Sequence, residues 1–103
     1  MNATVYQTCA DELRTAAFDI AAAKRPAYTE ASADVLHNFK DVARRAGIDP
    51  KQAWLIYFLK HVSAIAAAAK SPDIPQAEPL IGRFADAINY LELGWALFND
   101  DER

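Results

Sequence analysis

A chain of 103 residues is long enough to bury more than half of the surface its unfolded form exposes, so one core can hold without disulfides or a structural metal. Its net charge of -3 excludes broad electrostatic binding to DNA, RNA or an anionic membrane, since Lys24–Arg25 and Arg44–Arg45 are isolated pairs and not patches. With 52% apolar and 24% charged residues the composition is that of an ordered globular domain, and a lone cysteine excludes an intramolecular disulfide and fits a reducing cytoplasm.

The opening segment MNATVYQTCADELR carries acids where a secretion signal has a basic start and an apolar run. Thr4 and Gln7 have capping-box spacing, and Cys9, Leu13, Ala16, Ala17 and Ile20 follow at helical intervals, so a first helix is expected over 5–24, ended by Pro26. Cys9, set among alanines, reads as a small core residue. The polar stretch KRPAYTEASAD offers Thr29 and Ser32 as caps for a second helix over 33–46. Val35, Leu36, Phe39, Val42 and Ala46 form its stripe, and Gly47 suits the left-handed conformation just past its end.

GIDPKQ is the clearest start signal: Asp49 can cap, Pro50 suits the first helical position and Gln52 can reach back to the cap. The third helix is expected over 50–70. Its apolar part, Ala53 to Ala69, is 17 residues long, short of the ~20 that span a bilayer, and Lys60 with His61 at the centre would be costly in lipid. It therefore reads as a core helix. SPDIPQAEP is a stiff connection with three prolines in nine residues, and a fourth helix is expected over 79–99, with DDER as a solvated tail.

These elements predict an all-α fold, a small bundle of four main helices in one domain, with the third in the middle because it is apolar on almost every side. On the fourth helix Leu80, Phe84, Ala87, Ile88, Leu91 and Trp95 share one arc of about 120°. Leu93 and Leu97 fall outside it and suggest a second strip covered by another subunit, hence a homodimer or larger symmetric oligomer.

The polar residues that break these patterns are the candidate site. Arg83, Asp86 and Tyr90 lie along one edge of the fourth helix, with Asn89 one step further round. Read as a solvated face, they hold an Arg83–Asp86 pair worth about 0.3–0.5 kcal/mol. Lys60 is harder to place that way, because burying an ammonium without a partner costs several kcal/mol. It is expected to meet either Asp86, as a structural bridge, or an anion in a cleft shared with His61 and Arg83 and oriented by Asp86 or Asn89. His61 also reads as a core histidine bonded to a carbonyl. No metal site is expected: the two histidines have unrelated spacing, and Glu12 with Asp19, or Glu78 with Asp86, are the best acid sets available.

Taken together, KRPAYTEASADVLHNFK, GIDPKQAWLIYFLKHVSAI and GRFADAINYLELGWAL resemble a group of short helical proteins of phages and prophages, over roughly residues 24–98. That group is similar to nucleotide-modification-associated domains and, more distantly, to all-α nucleoside triphosphate pyrophosphohydrolases of the MazG type. Those enzymes hold magnesium with Glu-x-x-Glu on one helix and Glu-x-x-Asp on a later one. Here the later motif keeps Asp86 but has Arg83 three positions before it, and the region of the earlier pair holds Lys60 and His61 and no acid.

The resemblance therefore implies binding of a nucleotide or other phosphorylated small molecule in a cleft between helices two, three and four, without a cofactor. Magnesium enters only if a hydrolase uses an acid from helix one. Lys60, Arg83 and His61 would meet phosphate, Asp86 would pair with them, and Asn38, Asn89, Tyr28 and Tyr90 would contact base or sugar. The rival is a protein-interaction module, such as a phage inhibitor of a host defence or replication factor. Its acidic surface would use Asp11, Glu12, Asp19, Glu30 and Asp34, with Asp100, Asp101 and Glu102 in the tail.

Overall fold

The structure, a computed structural model, describes residues 1–29 and 34–100, without the side chains at 27–29. Glu30, Ser32, Asp101 and Glu102 lie outside the described residues. Four helices, α1 (Ala3–Thr29), α2 (His37–Ala46), α3 (Pro50–Lys70) and α4 (Leu80–Phe98), make an all-α bundle, with no strand among the described residues.

The ends of the helices show which local signals won. The Asn2 side chain accepts the Val5 N–H at 2.9 Å, so α1 starts at Ala3 and the expected Thr4–Gln7 box does not form. Thr4 instead lends its carbonyl to the Thr8 hydroxyl, and Gln7 donates to Asp11. At the other end α1 runs through Pro26: the ring removes one hydrogen bond, a local penalty that does not outweigh the docking of this stretch on α4. Gly47 ends α2 at φ 71°, donating to the Ala43 carbonyl. Asp49 caps α3, accepting Lys51 N–H at 2.8 Å and donating its own to Gln52 Oε1 at 3.3 Å.

α3 and α4 form the middle of the bundle: α3 meets α4 and α2, and α4 meets α3 and α1. α4 is turned inside out relative to its expected arc. Leu80, Phe84, Leu91 and Trp95 face outward, Trp95 being 69% exposed, and Leu97, placed outside the arc, is 5% exposed in the core. The inward face carries Ala85, Asp86, Tyr90, Gly94 and Leu97, because two helices approach closely only where small residues meet.

The core joins Leu36, Phe39, Tyr90 and Leu97, with Trp54, Tyr57, Phe58 and Leu93 packed against them. Phe39 leans on Tyr57 at 6.2 Å and meets Tyr90 edge-on at 6.0 Å between ring centroids. The Trp54 indole stacks on Phe58 at 5.4 Å, and its N–H donates to the Tyr90 carbonyl at 2.7 Å. That bond needs Gly94, since a β-carbon there would overlap the indole ring. Cys9 is exposed, not a core residue, because the first turns of α1 reach beyond the helices they would need to pack on. Among the described residues no helix is long and apolar enough to cross a membrane.

Candidate functional site

Lys60 and His61 were expected to act together, and the geometry of a helix separates them. One residue step turns the side chain by about 100°, so only one of two neighbours can face α4. It is His61: its ring lies 4.5 Å from that of Tyr90, and Nδ1 is 3.9 Å from Asp86 Oδ2. Lys60 is exposed to solvent, so it forms neither the bridge to Asp86 nor the wall of a cleft.

The cation that meets Asp86 comes from α1. Lys24 Nζ lies 3.2 Å from Asp86 Oδ1. Lys24 follows Ala17 and Ile20 on the α1 stripe, so the stripe that docks on α4 ends in an ammonium. Asp86 is 8% exposed, and a carboxylate so buried requires such a partner. Three residues on, Asn89 donates its amide to the Ala17 carbonyl at 2.9 Å, a second tie between α1 and α4. Arg83 does not pair with Asp86 along the helix. Its Nη1 lies 3.7 Å from Glu78 Oε2, and its buried Nε has no hydrogen-bond partner.

The Lys24–Asp86 pair separates two hollows. One is a cleft between α1 and α4, lined by Ala21, Lys24, Arg25, Asp86, Asn89, Glu92 and Leu93 and closed at one side by Val35, with a cavity volume of about 100 Å³. The other, more open to solvent, lies towards the start of α4 beside Ile20, Glu78, Pro79 and Ile81. This cleft lies between α1 and α4.

Of the residues expected in the site, Asp86 and Asn89 line the cleft, and His61 and Arg83 stand around Asp86 outside it. Tyr90 is buried in the core, and Asn38 is half-buried on α2 away from the cleft. The side chain of Tyr28 lies outside the described residues. Lys24, Arg25, Val35 and Glu92 were missed. Lys24 alone carried a signal, as a charge continuing an apolar stripe. Among the described residues no three of His, Cys, Asp and Glu come together as metal ligands would.

Burial pushes the His61 pKa below its ordinary value; Asp86 pulls it up, and Lys24, Arg83 and Lys60 push it further down. The folded protein thus favours neutral His61. The unfolded chain binds more protons below the ordinary value of 6.5, so the contribution of His61 to stability is complete above that pH and is lost as pH falls through the depressed value. Chemical denaturation between neutral pH and about pH 5 is expected to show this loss, and His61→Gln to flatten the slope. An unchanged slope in the variant would exclude His61 as its source.

No known protein family matches the chain, and comparison with curated proteins and solved structures found none similar to it.

Proposed function

We propose that the α1–α4 cleft binds a nucleotide or another singly phosphorylated small molecule, with phosphate at Lys24 and Arg25 and the uncharged part against Ala21, Val35 and Leu93. The observation that carries this reading is the Lys24 ammonium: half-exposed at the cleft wall and held in place by buried Asp86. An ammonium fixed in this way meets phosphate as a positioned point charge, and Arg25 adds a fork of donors. The lining sets two cations, Lys24 and Arg25, against two carboxylates, Asp86 and Glu92. That balance suits one phosphate and disfavours a triphosphate. Asn89 and Glu92 offer acceptors to sugar hydroxyls or a base amino group.

The resemblance to phage helical proteins and nucleotide-modification-associated domains supports the same reading, with a phage-derived protein working in the bacterial cytoplasm. Retention of Asp86 without the other acids of the MazG pattern favours binding over magnesium-dependent hydrolysis.

Calorimetric titration with nucleoside mono- and triphosphates, with and without magnesium, tests it. Monophosphate binding that needs no metal is expected, weakened ten- to a hundredfold by Lys24→Met, as loss of a charged hydrogen bond implies, and largely kept by Lys24→Arg. Absence of monophosphate binding, or equal affinity in a folded Lys24→Met variant, refutes the proposal.

A second reading, an interaction module for a basic host protein, draws on the groove along α1 lined by Thr8, Asp11, Glu12, Thr15, Ala16 and Asp19. Asp34 and Asp100 share a single counter-charge: Lys40 lies 2.6 Å from Asp34 and 2.9 Å from Asp100. Capture of one host protein that is lost on charge reversal at Asp11, Glu12 and Asp19, and unaffected by Lys24→Met, would favour this reading.

A further inference from the structure

α3 and α4 run antiparallel: Trp54 near the start of α3 reaches Tyr90 and Phe98 towards the end of α4, and His61 meets Asp86 midway. α2 packs on α3, α1 packs on α4, and α1 and α2 touch each other. Both therefore cover the same side of the α3–α4 pair and leave the opposite side bare. On that side stand Leu55, Leu59 and Val62 of α3 and Phe84 and Leu91 of α4, with Trp95 at its edge, where it also borders a hollow beside Asp34, Val35 and Leu36; the six are each between 40 and 69% exposed. Each trio falls within an arc of about 60° on its helix, and neither strip contains a charge.

At the roughly 150–250 Å² that an aromatic side chain presents, and somewhat less for an aliphatic one, these fractions leave on the order of 600 Å² of apolar surface open in one patch. That is the top of the range for monomers, about 300–600 Å², and approaches the ~800 Å² that each partner contributes to a standard interface.

We propose that this face joins two copies of the chain into a symmetric homodimer, α3 and α4 of one protomer covering α3 and α4 of its partner. The occupant has to be apolar, uncharged and as long as two helices. A second copy presents such a surface, and two-fold symmetry sets like against like. The proposal is independent of what the α1–α4 cleft binds, since that cleft and the bare strips share no residue.

Sedimentation equilibrium over a wide range of chain concentration, with circular dichroism as the check on folding, tests it. The wild-type chain is expected at twice its single-chain mass. Leu59→Glu and Leu91→Glu, at positions already half-exposed, are each expected to give a helical species of single-chain mass. Phe18→Glu, at an equally apolar and exposed position on α1, is expected to remain dimeric. A wild-type chain of single mass throughout overturns the proposal, whether or not it binds another protein or a lipid vesicle through Trp95. So does a dimer that survives both glutamates. Should both variants unfold, Trp95 fluorescence decides: emission is expected to shift to the red on dilution of the wild-type chain with helicity retained, and unchanged emission overturns the proposal.

Discussion

Alanine at position 94 is expected to lower the melting temperature, while the same substitution at position 82, in the same helix, raises it. Intrinsically both changes favour a helix, by about 0.5–1 kcal/mol. At Gly82 nothing lies within 4 Å of the added methyl, so that gain stands alone. At Gly94 the methyl would occupy the space of the Trp54 indole. The indole cannot simply swing aside, because it is stacked on Phe58, set edge-on to Phe98 and bonded through its N–H to the Tyr90 carbonyl.

Overpacking costs about 1–3 kcal/mol and loss of the hydrogen bond about 1 more, so the net effect at 94 is roughly 1–3 kcal/mol of destabilisation. In a domain of this size that corresponds to a fall of about 5–15 °C. Melts at one fixed chain concentration check the pair. A rise for Gly94→Ala would mean that α3 and α4 do not approach as closely as described.

Phe39→Ala is expected to have the largest effect on stability. Phe39 is the ring by which α2 enters the core, between Tyr57 and Tyr90, and it is almost fully buried. Truncating a buried phenylalanine costs about 3–5 kcal/mol, a large part of the 5–15 kcal/mol that holds a small domain together. α2 has only ten residues and cannot persist as a helix without its packing. Denaturant titration should show the fall in stability, and amide exchange should show α2 losing protection first. Phe39→Leu is expected to retain most of the stability. A cost for Phe39→Ala below about 1 kcal/mol would show that the ring is not enclosed.

The helix boundaries most legible in the sequence are those set by local chemistry. Asp49, Pro50 and Gln52 mark the start of α3, and Gly47 the end of α2, because caps and a left-handed turn depend only on near neighbours. The end of α1 was not legible, since Pro26 argues locally for a stop and docking on α4 carries the helix past it. The orientation of α4 was misread for a different reason. Apolarity pointed to Leu80, Phe84, Leu91 and Trp95 as the core face, but close helix packing selects small residues, and Ala85 and Gly94 mark the face that turns inward.

The candidate site was half legible for the same reason. Asp86 and Asn89 could be found as polar residues out of pattern on α4. Their partners Lys24 and the Ala17 carbonyl belong to α1, and no local pattern announces a contact across more than sixty positions of chain. Lys60 misled because α3 is apolar nearly all round, so the sequence gives no way to tell its inward from its outward side.

The element that unites the bundle is also the last of the four helices along the polypeptide. α1 joins the assembly chiefly by leaning on α4, and the α2–α3 pair reaches α1 mainly through it. During synthesis the earlier helices therefore emerge with their docking faces open, and consolidation waits until α4 has cleared the ribosome. Any factor that shields nascent chains has its window of action in that interval.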